Sequence, residues 1–141
     1  MARILIVDDD KDLVEACRLF LEKDGHTVAA AYSRGGGMRA VAEWPPDLLI
    51  LDVMMDEPDD GIVMAQELRR SGWKTPILML TSIGKVTGLP YSADPDVVPV
   101  DAFLDKPVRP AVLRETVAAL LGRKGGKEEI HAGHGTTTAA R

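Results

Sequence analysis

Short apolar runs alternate along the chain with longer amphipathic segments, and this alternation constrains the fold more than any other feature. The apolar runs are predicted to be strands, and they cover residues 3–7, 26–32, 47–52, 76–81 and 101–104. The amphipathic segments are predicted to be helices, one beginning near Leu13 and the others covering residues 38–44, 61–70 and 109–121. Strands that are apolar along their whole length are typical of a parallel sheet covered by helices on both faces.

The number and order of these units predict the architecture. Five β-α units within about 120 residues are typical of an α/β fold in which one sheet is doubly wound. We therefore predict a flavodoxin-like doubly wound sheet of five parallel strands in the order 2-1-3-4-5. The functional residues of such sheets lie beyond the carboxyl ends of the strands.

Two segments depart from the alternation. A fourth helix is expected between Thr81 and Asp101, but glycines and prolines interrupt that segment, at Gly84, Gly88, Pro90, Pro95 and Pro99. Each proline inside a helix costs about 3 kcal/mol, so we expect an irregular connection at residues 83–99. Residues 122–141 are polar and rich in glycine, and we expect them to form a disordered tail after one domain at residues 1–121.

Local signals predict where individual helices begin and end. Asp12 followed by Glu15 is typical of a capping box, and Gly25 is typical of the residue that ends a helix. The run Gly35-Gly36-Gly37 lacks the lysine and the hydroxyl residue of a phosphate-binding loop. We predict that this run is a flexible turn before the helix at residues 38–44.

Composition excludes several classes of protein. The chain has 141 residues and a net charge of −5. A negatively charged protein is repelled by the phosphates of DNA, so we expect no direct DNA binding. Its one cysteine, Cys17, rules out an intrachain disulfide and a cysteine-based zinc cluster. No apolar stretch approaches the roughly 18–20 residues that cross a bilayer, and no signal peptide is recognisable. We expect a cytoplasmic protein that does not associate with membranes.

Charged and polar residues follow the predicted strands. Asp8 and Asp9 follow the first strand, Asp52 ends the third, Thr81 ends the fourth, and Lys106 follows the fifth. Because these strand ends meet at one edge of the sheet, three carboxylates that repel one another lie together and need a cation. Oxygen ligands of this kind favour Mg²⁺. A carboxylate in such a site can also accept a phosphoryl group, whose oxygens the hydroxyl and the ammonium would hold.

Four motifs at these strand ends resemble those of the receiver domains of two-component response regulators. They are LIVDDD at residues 5–10, DLLILDVMM at 47–55, PILMLTS at 76–82 and DAFLDKPV at 101–108. The resemblance covers roughly residues 3–121. It implies a stand-alone, single-domain receiver that takes a phosphoryl group from a sensor histidine kinase or a histidine phosphotransfer protein. Such a receiver is a phosphoacceptor rather than an enzyme.

The resemblance also implies a role for each matching residue. It makes Asp52 the phosphoacceptor, and it makes Asp8 and Asp9 the acidic pair that holds Mg²⁺ together with Asp52. The main-chain oxygen of Met54 completes the protein's share of the metal ligands.

Three further implications concern the fourth and fifth strands. By the same resemblance, Thr81 is the switch hydroxyl and Lys106 is the lysine that such domains carry at this position. Phe103 is the aromatic residue that rotates on phosphorylation, and the Lys106–Pro107 peptide bond is cis, as the energetics of proline permit.

This sequence departs from the family at the loop that follows Asp52. The family loop is of the type Met-Pro-Gly-Met-Asp-Gly, whereas residues 54–61 here read MMDEPDDG, one residue longer and more acidic. In receivers, the residues two beyond the phosphoacceptor and two beyond the switch hydroxyl help to orient or admit the hydrolytic water. By this resemblance those positions are Met54 and Ile83, which have no suitable polar group. We therefore expect slow self-dephosphorylation. Because no output domain follows residue 121, we expect signalling through protein contacts with a downstream target, as a monomer or a weak phosphorylation-linked dimer.

Three alternatives use the same residues or the same fold. A haloacid dehalogenase-type phosphatase also uses an aspartate nucleophile and Mg²⁺, but it places that nucleophile in an Asp-x-Asp motif after the first strand, usually followed by Thr. Asp8-Asp9-Asp10 supplies the acids without that Thr. A flavin-binding relative needs a phosphate-binding loop there, and these carboxylates would repel a phosphate. A receiver-fold interaction module that is not phosphorylated is the third alternative.

Overall fold

The computed structural model describes residues 2–81 and 99–122, which contain five strands and four helices. The strands are β1 (Arg3–Val7), β2 (Thr27–Ala31), β3 (Leu48–Asp52), β4 (Ile77–Thr81) and β5 (Ala102–Asp105). The helices are α1 (Lys11–Lys23), α2 (Arg34–Glu43), α3 (Asp60–Arg70) and α4 (Pro110–Leu121). Each predicted strand and each predicted helix is therefore present, with bounds that differ by one or a few residues.

The strands form one parallel sheet in the order β2-β1-β3-β4-β5, which confirms the predicted fold. Strand β3 lies at its centre, where Leu51 pairs with Val7 of β1 and with Met79 of β4. At the edge, Thr81 of β4 pairs with Asp105 of β5. Since all five strands run in the same direction, the residues that follow β1, β3, β4 and β5 meet at one edge of the sheet.

Alternate residues of each central strand point to opposite faces, so the sheet has a core on each side. Leu5 and Leu49 belong to the core that α2 and α3 cover, and Ile4 and Leu48 belong to the core that α1 and α4 cover. All four side chains are fully buried. This two-sided burial explains why the strands have continuous apolar sequences.

Helix α1 begins earlier than its predicted capping box. Its N-terminal cap is Asp10, whose carboxylate accepts hydrogen bonds of 3.1 Å from the main-chain N–H groups of Asp12 and Leu13. The prediction that Asp12 begins a capping box with Glu15 was wrong, because Asp10 already satisfies the free N–H groups of the first turn. Gly25 has a φ of 93° just beyond the helix end, as the predicted role of this glycine requires.

The three consecutive glycines lie inside α2, so the prediction of a flexible turn there was wrong. Ser33 caps this helix, and its hydroxyl accepts a hydrogen bond of 3.0 Å from the N–H of Gly36. A Cβ atom on Gly37 would lie 3.0 Å from side-chain atoms of Val7 and Met64. Glycine at position 37 therefore lets α2 lie close to the sheet and to α3. The serine cap starts the helix despite the low helix propensity of glycine.

The beginning of β5 is tied to the end of α3 by a hydrogen-bonded ion pair. The guanidinium of Arg69 donates 2.8–2.9 Å hydrogen bonds to the main-chain oxygens of Trp73 and Thr75 and to the carboxylate of Asp101. The same Asp101 oxygen accepts a 2.8 Å hydrogen bond from the N–H of Ile77. These contacts fix the relative position of β4 and β5.

Two predictions fall outside the described residues. Nearly all of the irregular connection predicted at residues 83–99 lies there, and so does the predicted tail from residue 123 onward. No helix within the described ranges is long and apolar enough to span a membrane.

Helix α3 begins directly against the end of β3, and Gly61 makes this contact possible. A Cβ atom at position 61 would lie 1.9 Å from the main-chain oxygen of Asp52 and 2.9 Å from the Cα of Val53. Gly35 is the second residue of α2 as Gly61 is of α3, but a Cβ on Gly35 would meet nothing within 4 Å.

We predict opposite effects of alanine at these two positions. Gly61→Ala forces α3 away from β3 and lowers the free energy of unfolding by about 1–3 kcal/mol, as overpacking does. Gly35→Ala raises it by about 0.5–1 kcal/mol, because alanine loses less backbone entropy in a helix. Urea denaturation of both variants measures the difference, and equal effects of the two substitutions would contradict the close contact at Gly61.

Candidate functional site

Three carboxylates converge where β1 and β3 end. Asp8 is fully buried directly after β1, Asp52 is the last residue of β3 and is 4% exposed, and Asp9 is exposed to solvent. One carboxylate oxygen of each residue lies within 4.8 Å of those of the other two. The structure thus brings together the three acidic residues that the sequence placed at one edge of the sheet.

Lys106 joins this cluster from the loop that follows β5. Its Nζ lies 3.2 Å from Oδ2 of Asp8 and 3.1 Å from Oδ1 of Asp52. The main-chain N–H of Lys106 donates a 2.9 Å hydrogen bond to the main-chain oxygen of Thr81, which holds the loop against β4. The Lys106–Pro107 bond is cis, as expected.

The two oxygens of Asp8 have different surroundings. Oδ1 accepts a 2.9 Å hydrogen bond from the N–H of Asp10. Oδ2 is buried, and among the described residues it has the ionic contact with Lys106 but no partner in hydrogen-bond geometry. Lys106 offsets part of the charge of this oxygen but leaves it without a hydrogen bond, so the oxygen can still accept a second cation. The described residues therefore fit a metal ion at this point.

Burial and charge shift the pKa values of the central pair. Burial of Asp52, together with the negative charge of Asp8, raises the pKa of Asp52 from 3.8 to about 7, although Lys106 opposes this shift. Burial by itself would lower the pKa of Lys106, but the carboxylates of Asp52 and Asp8 outweigh that effect and raise it. The ammonium therefore stays charged, and the cluster retains an excess of negative charge when its carboxylates ionise.

The charges and atom types of the cluster match a divalent metal ion. Three ionised carboxylates and one ammonium leave two negative charges, which one divalent cation would neutralise. All the available donor atoms are hard oxygens, which Mg²⁺ prefers over nitrogen or sulfur. Asp8, Asp9 and Asp52 could therefore supply its protein ligands.

The remaining residues predicted for the site lie around this cluster. Thr81 is buried at the end of β4, adjacent to the backbone of Lys106. Phe103 pairs in register with Met79 and packs partly buried against the core that α2 and α3 cover. Met54 lies just beyond β3 and is 44% exposed. The switch roles of Thr81 and Phe103, and the role of the Met54 oxygen, stay predictions.

Sequence reasoning missed an ion pair between the beginnings of α2 and α3. Asp60 was treated as one of several acids in the loop, yet it is buried, and its carboxylate lies 3.2 Å from Nε of Arg34. The position of Asp60 directly before Gly61, at the start of a predicted helix, is the sequence signal that could have distinguished it from the other acids of the loop. Arg34 gave no local signal, because its partner lies on a different β-α unit.

Comparison with known proteins agrees with this arrangement. The family model for the response regulator receiver domain matches residues 4–118. The transcriptional regulatory protein AfsQ1 of Streptomyces coelicolor is 36% identical over 132 residues, covering 91% of this chain and 54% of the relative. The alkaline phosphatase synthesis transcriptional regulatory protein PhoP of Bacillus subtilis is 34% identical over 125 residues, covering 86% of this chain and 49% of the relative. The chain thus spans about half the length of these relatives.

Solved structures show the same fold. A putative response regulator from Chloroflexus aurantiacus superposes with a TM-score of 0.74 at 30% identity, covering 86% of this chain and 98% of the other. A CheY-like receiver domain protein from Methanospirillum hungatei has a TM-score of 0.78 at 24% identity, covering 91% of this chain and 99% of the other. At that lower identity the second likeness shows the fold alone.

We predict that Asp52 makes the stability of the metal-free protein depend on pH. The folded protein binds this proton more tightly than the unfolded chain, so the wild type loses stability as pH rises from about 4 to about 7. Asp52→Asn lacks this loss. The free energy of unfolding of the variant minus that of the wild type therefore grows by on the order of 2 kcal/mol between pH 5 and pH 8, and it levels off at higher pH.

Urea denaturation in the presence of a chelator measures this difference at each pH. Asp59→Asn is the matched control, because it makes the same acid-to-amide change at an exposed residue of the loop that follows β3. A constant difference between wild type and Asp52→Asn across this pH range would show that the pKa of Asp52 is not raised.

Proposed function

The chain belongs to the family of response regulator receiver domains of two-component systems, and on that premise we propose that Asp52 accepts a phosphoryl group in a reaction that requires Mg²⁺. The observation that carries the proposal is the position of Lys106, whose ammonium contacts both Asp8 and Asp52 at the edge of the sheet. A carboxylate in this position contacts a positive charge and would share the proposed metal ion with Asp8 and Asp9. Both are what phosphoryl transfer to a carboxylate requires.

The proposed donor is a phosphohistidine on a sensor histidine kinase or on a histidine phosphotransfer protein. A carboxylate oxygen of Asp52 attacks phosphorus, and the bond between phosphorus and the imidazole nitrogen breaks. The electron pair of that bond stays on the nitrogen, which takes up a proton. The products are an aspartyl phosphate and a neutral histidine.

The chain's own residues would prepare this step. Asp8, Asp9, Asp52 and the main-chain oxygen of Met54 would hold Mg²⁺, which when bound offsets the charge on the transferring group. Lys106 would orient Asp52 before the reaction and would hold a phosphoryl oxygen afterwards, as a point charge. The burial of Asp8 keeps this arrangement fixed, since its carboxylate cannot turn into solvent.

Phosphorylation would change the contacts of Lys106. The carboxyl group of Asp52 loses its negative charge when one of its oxygens is phosphorylated, while the phosphoryl group adds negative charge and acceptor oxygens farther out. The hydroxyl of Thr81 would then donate a hydrogen bond to the phosphoryl group. The side chain of Phe103 would rotate in response to the movement of Thr81. This is a local change in charge that biases a two-state surface.

The output is part of the same proposal. We place the protein in the cytoplasm, where it would signal through contacts with a downstream protein as a monomer or a weak phosphorylation-linked dimer. AfsQ1 and PhoP are transcriptional regulatory proteins by name, whereas the strand-end site among the described residues of this chain is acidic, which disfavours contact with DNA phosphates. We therefore propose that this domain accepts the phosphoryl group and does not itself bind DNA.

The geometry favours this function over an aspartate-nucleophile phosphatase. That mechanism needs a second free carboxylate two residues beyond the nucleophile after β1, which here would be Asp10. The carboxylate of Asp10 instead accepts two hydrogen bonds at the start of α1. It is therefore already used as a helix cap and is a poor proton donor for a leaving group.

We predict that a small-molecule phosphodonor and Mg²⁺ add one phosphoryl group to the wild-type protein. Asp52→Asn abolishes the addition, because the amide is not a nucleophile for phosphorus, and a chelator abolishes it in the wild type. Asp59→Asn, which changes an exposed acid in the neighbouring loop, retains full labelling. Intact-mass measurement distinguishes these cases, and persistent labelling of Asp52→Asn would refute the assignment.

We also predict that the aspartyl phosphate hydrolyses slowly, with a half-life of minutes or longer. Met54 lies exposed two residues beyond Asp52 and cannot orient a water molecule. Met54→Asn adds a polar group at that position and shortens the half-life, whereas Met54→Leu leaves it unchanged. The decay of the phosphorylated mass with time measures both effects. A wild-type half-life of seconds would contradict this account of the Met54 side chain.

A further inference from the structure

The loop between β3 and α3 carries an unusual amount of negative charge. Asp56, Glu57 and Asp59 are all exposed there, and Asp60 is buried at its end. Like charges at these short separations repel one another and favour an open loop. Among the described residues, the loop has one ion pair that counters this repulsion, between Nε of Arg34 and Oδ1 of Asp60.

Asp60 connects that ion pair to the backbone of the loop. Its second carboxylate oxygen, Oδ2, accepts a 2.8 Å hydrogen bond from the N–H of Glu57. The main-chain oxygen of Glu57 in turn accepts 3.2 Å hydrogen bonds from the N–H groups of Met55 and Asp60. The Asp60 side chain is only 6% exposed, whereas that of Arg34 is 39% exposed. Arg34, which is itself partly exposed, therefore pairs with a buried carboxylate.

These hydrogen bonds enclose Met54 on both sides. Before it, the main-chain oxygen of Val53 accepts a 2.8 Å hydrogen bond from the N–H of Gly61. After it, the N–H of Met55 donates a hydrogen bond to the main-chain oxygen of Glu57, and the N–H of Glu57 donates one to the carboxylate of Asp60. The peptide groups on either side of Met54 are thus fixed to the beginning of α3.

We propose that Arg34 is a positioning residue for the metal site: through Asp60 it holds the loop that presents the main-chain oxygen of Met54. This inference rests on the proposed Mg²⁺ site and extends it to a residue outside the strand-end motifs. Arg34 touches neither Mg²⁺ nor the phosphoryl group. It acts by keeping an acidic loop in one conformation.

Electrostatics alone predicts the opposite result for removal of Arg34. Loss of a positive charge near a cluster of carboxylates raises the affinity of that cluster for a cation. Loss of the restraint on the Met54 oxygen lowers the affinity, because the free loop must be ordered again when the metal binds. The sign of the change therefore distinguishes a positioning role from a simple charge effect.

The experiment is a titration of the full chain with MgCl₂, followed by the amide NMR signals of the loop. We expect Arg34→Ala to weaken Mg²⁺ binding roughly tenfold, and Arg34→Lys to restore part of the affinity. Arg39→Ala is the matched control, because Arg39 is an exposed arginine of the same helix with no ion pair among the described residues. It removes the same charge and leaves the affinity unchanged or slightly higher.

Two further measurements complete the test. In the metal-free protein, Arg34→Ala speeds hydrogen exchange at the N–H groups of Met55 and Glu57, and Arg39→Ala does not. In the Asp60→Asn background, Arg34→Ala has little further effect on Mg²⁺ affinity, because the pair is already broken.

The outcomes separate this inference from the proposed function. Normal or tighter Mg²⁺ binding by Arg34→Ala, with binding by the wild type intact, would overturn the positioning role and leave the proposed function standing. Absence of Mg²⁺ binding by both the wild type and Arg39→Ala would overturn the proposed metal site and this inference with it.

Discussion

The ammonium of Lys106 between the carboxylates of Asp8 and Asp52 is the interaction on which the site depends. Two carboxylates about 4 Å apart repel by about 4 kcal/mol at an effective dielectric constant near 20, and burial adds a desolvation cost for each. Nζ of Lys106, at 3.1–3.2 Å from both, offsets much of this cost. The part of the desolvation and repulsion cost that Lys106 does not offset raises the pKa of Asp52. The cluster thus keeps an excess of negative charge, which favours a second cation.

The fold serves this cluster by bringing distant parts of the chain to one edge. Parallel pairing of β1, β3, β4 and β5 aligns their carboxyl ends, while the two apolar cores fix the sheet between its helices. The absence of a side chain at Gly61 lets α3 begin against the main chain of Asp52. Rigid strands therefore carry the charged residues, and the loop beyond β3 is held to the same scaffold through Arg34 and Asp60.

The sequence predicted the sheet order and the strand-end residues because both follow from strong patterns. Continuous apolar strands separated by helices leave few topologies, and in a parallel sheet Asp8, Asp52 and Lys106 meet whatever the detail of the loops. The start of α2 was predicted too late, because the Ser33 cap outweighs the low propensity of three glycines. The ion pair of Arg34 with Asp60 could not be predicted, since it depends on how two helices approach each other in space.

A crystal structure with Mg²⁺ and trifluoroberyllate, a mimic of the phosphoryl group, tests the central claim most directly. The account predicts beryllium bonded to a carboxylate oxygen of Asp52 and a fluorine atom within hydrogen-bond distance of Lys106. It also predicts Mg²⁺ about 2.0–2.1 Å from carboxylate oxygens of the cluster and from the main-chain oxygen of Met54. The mimic bound at another residue, or Mg²⁺ held without any oxygen of Asp52, would contradict it.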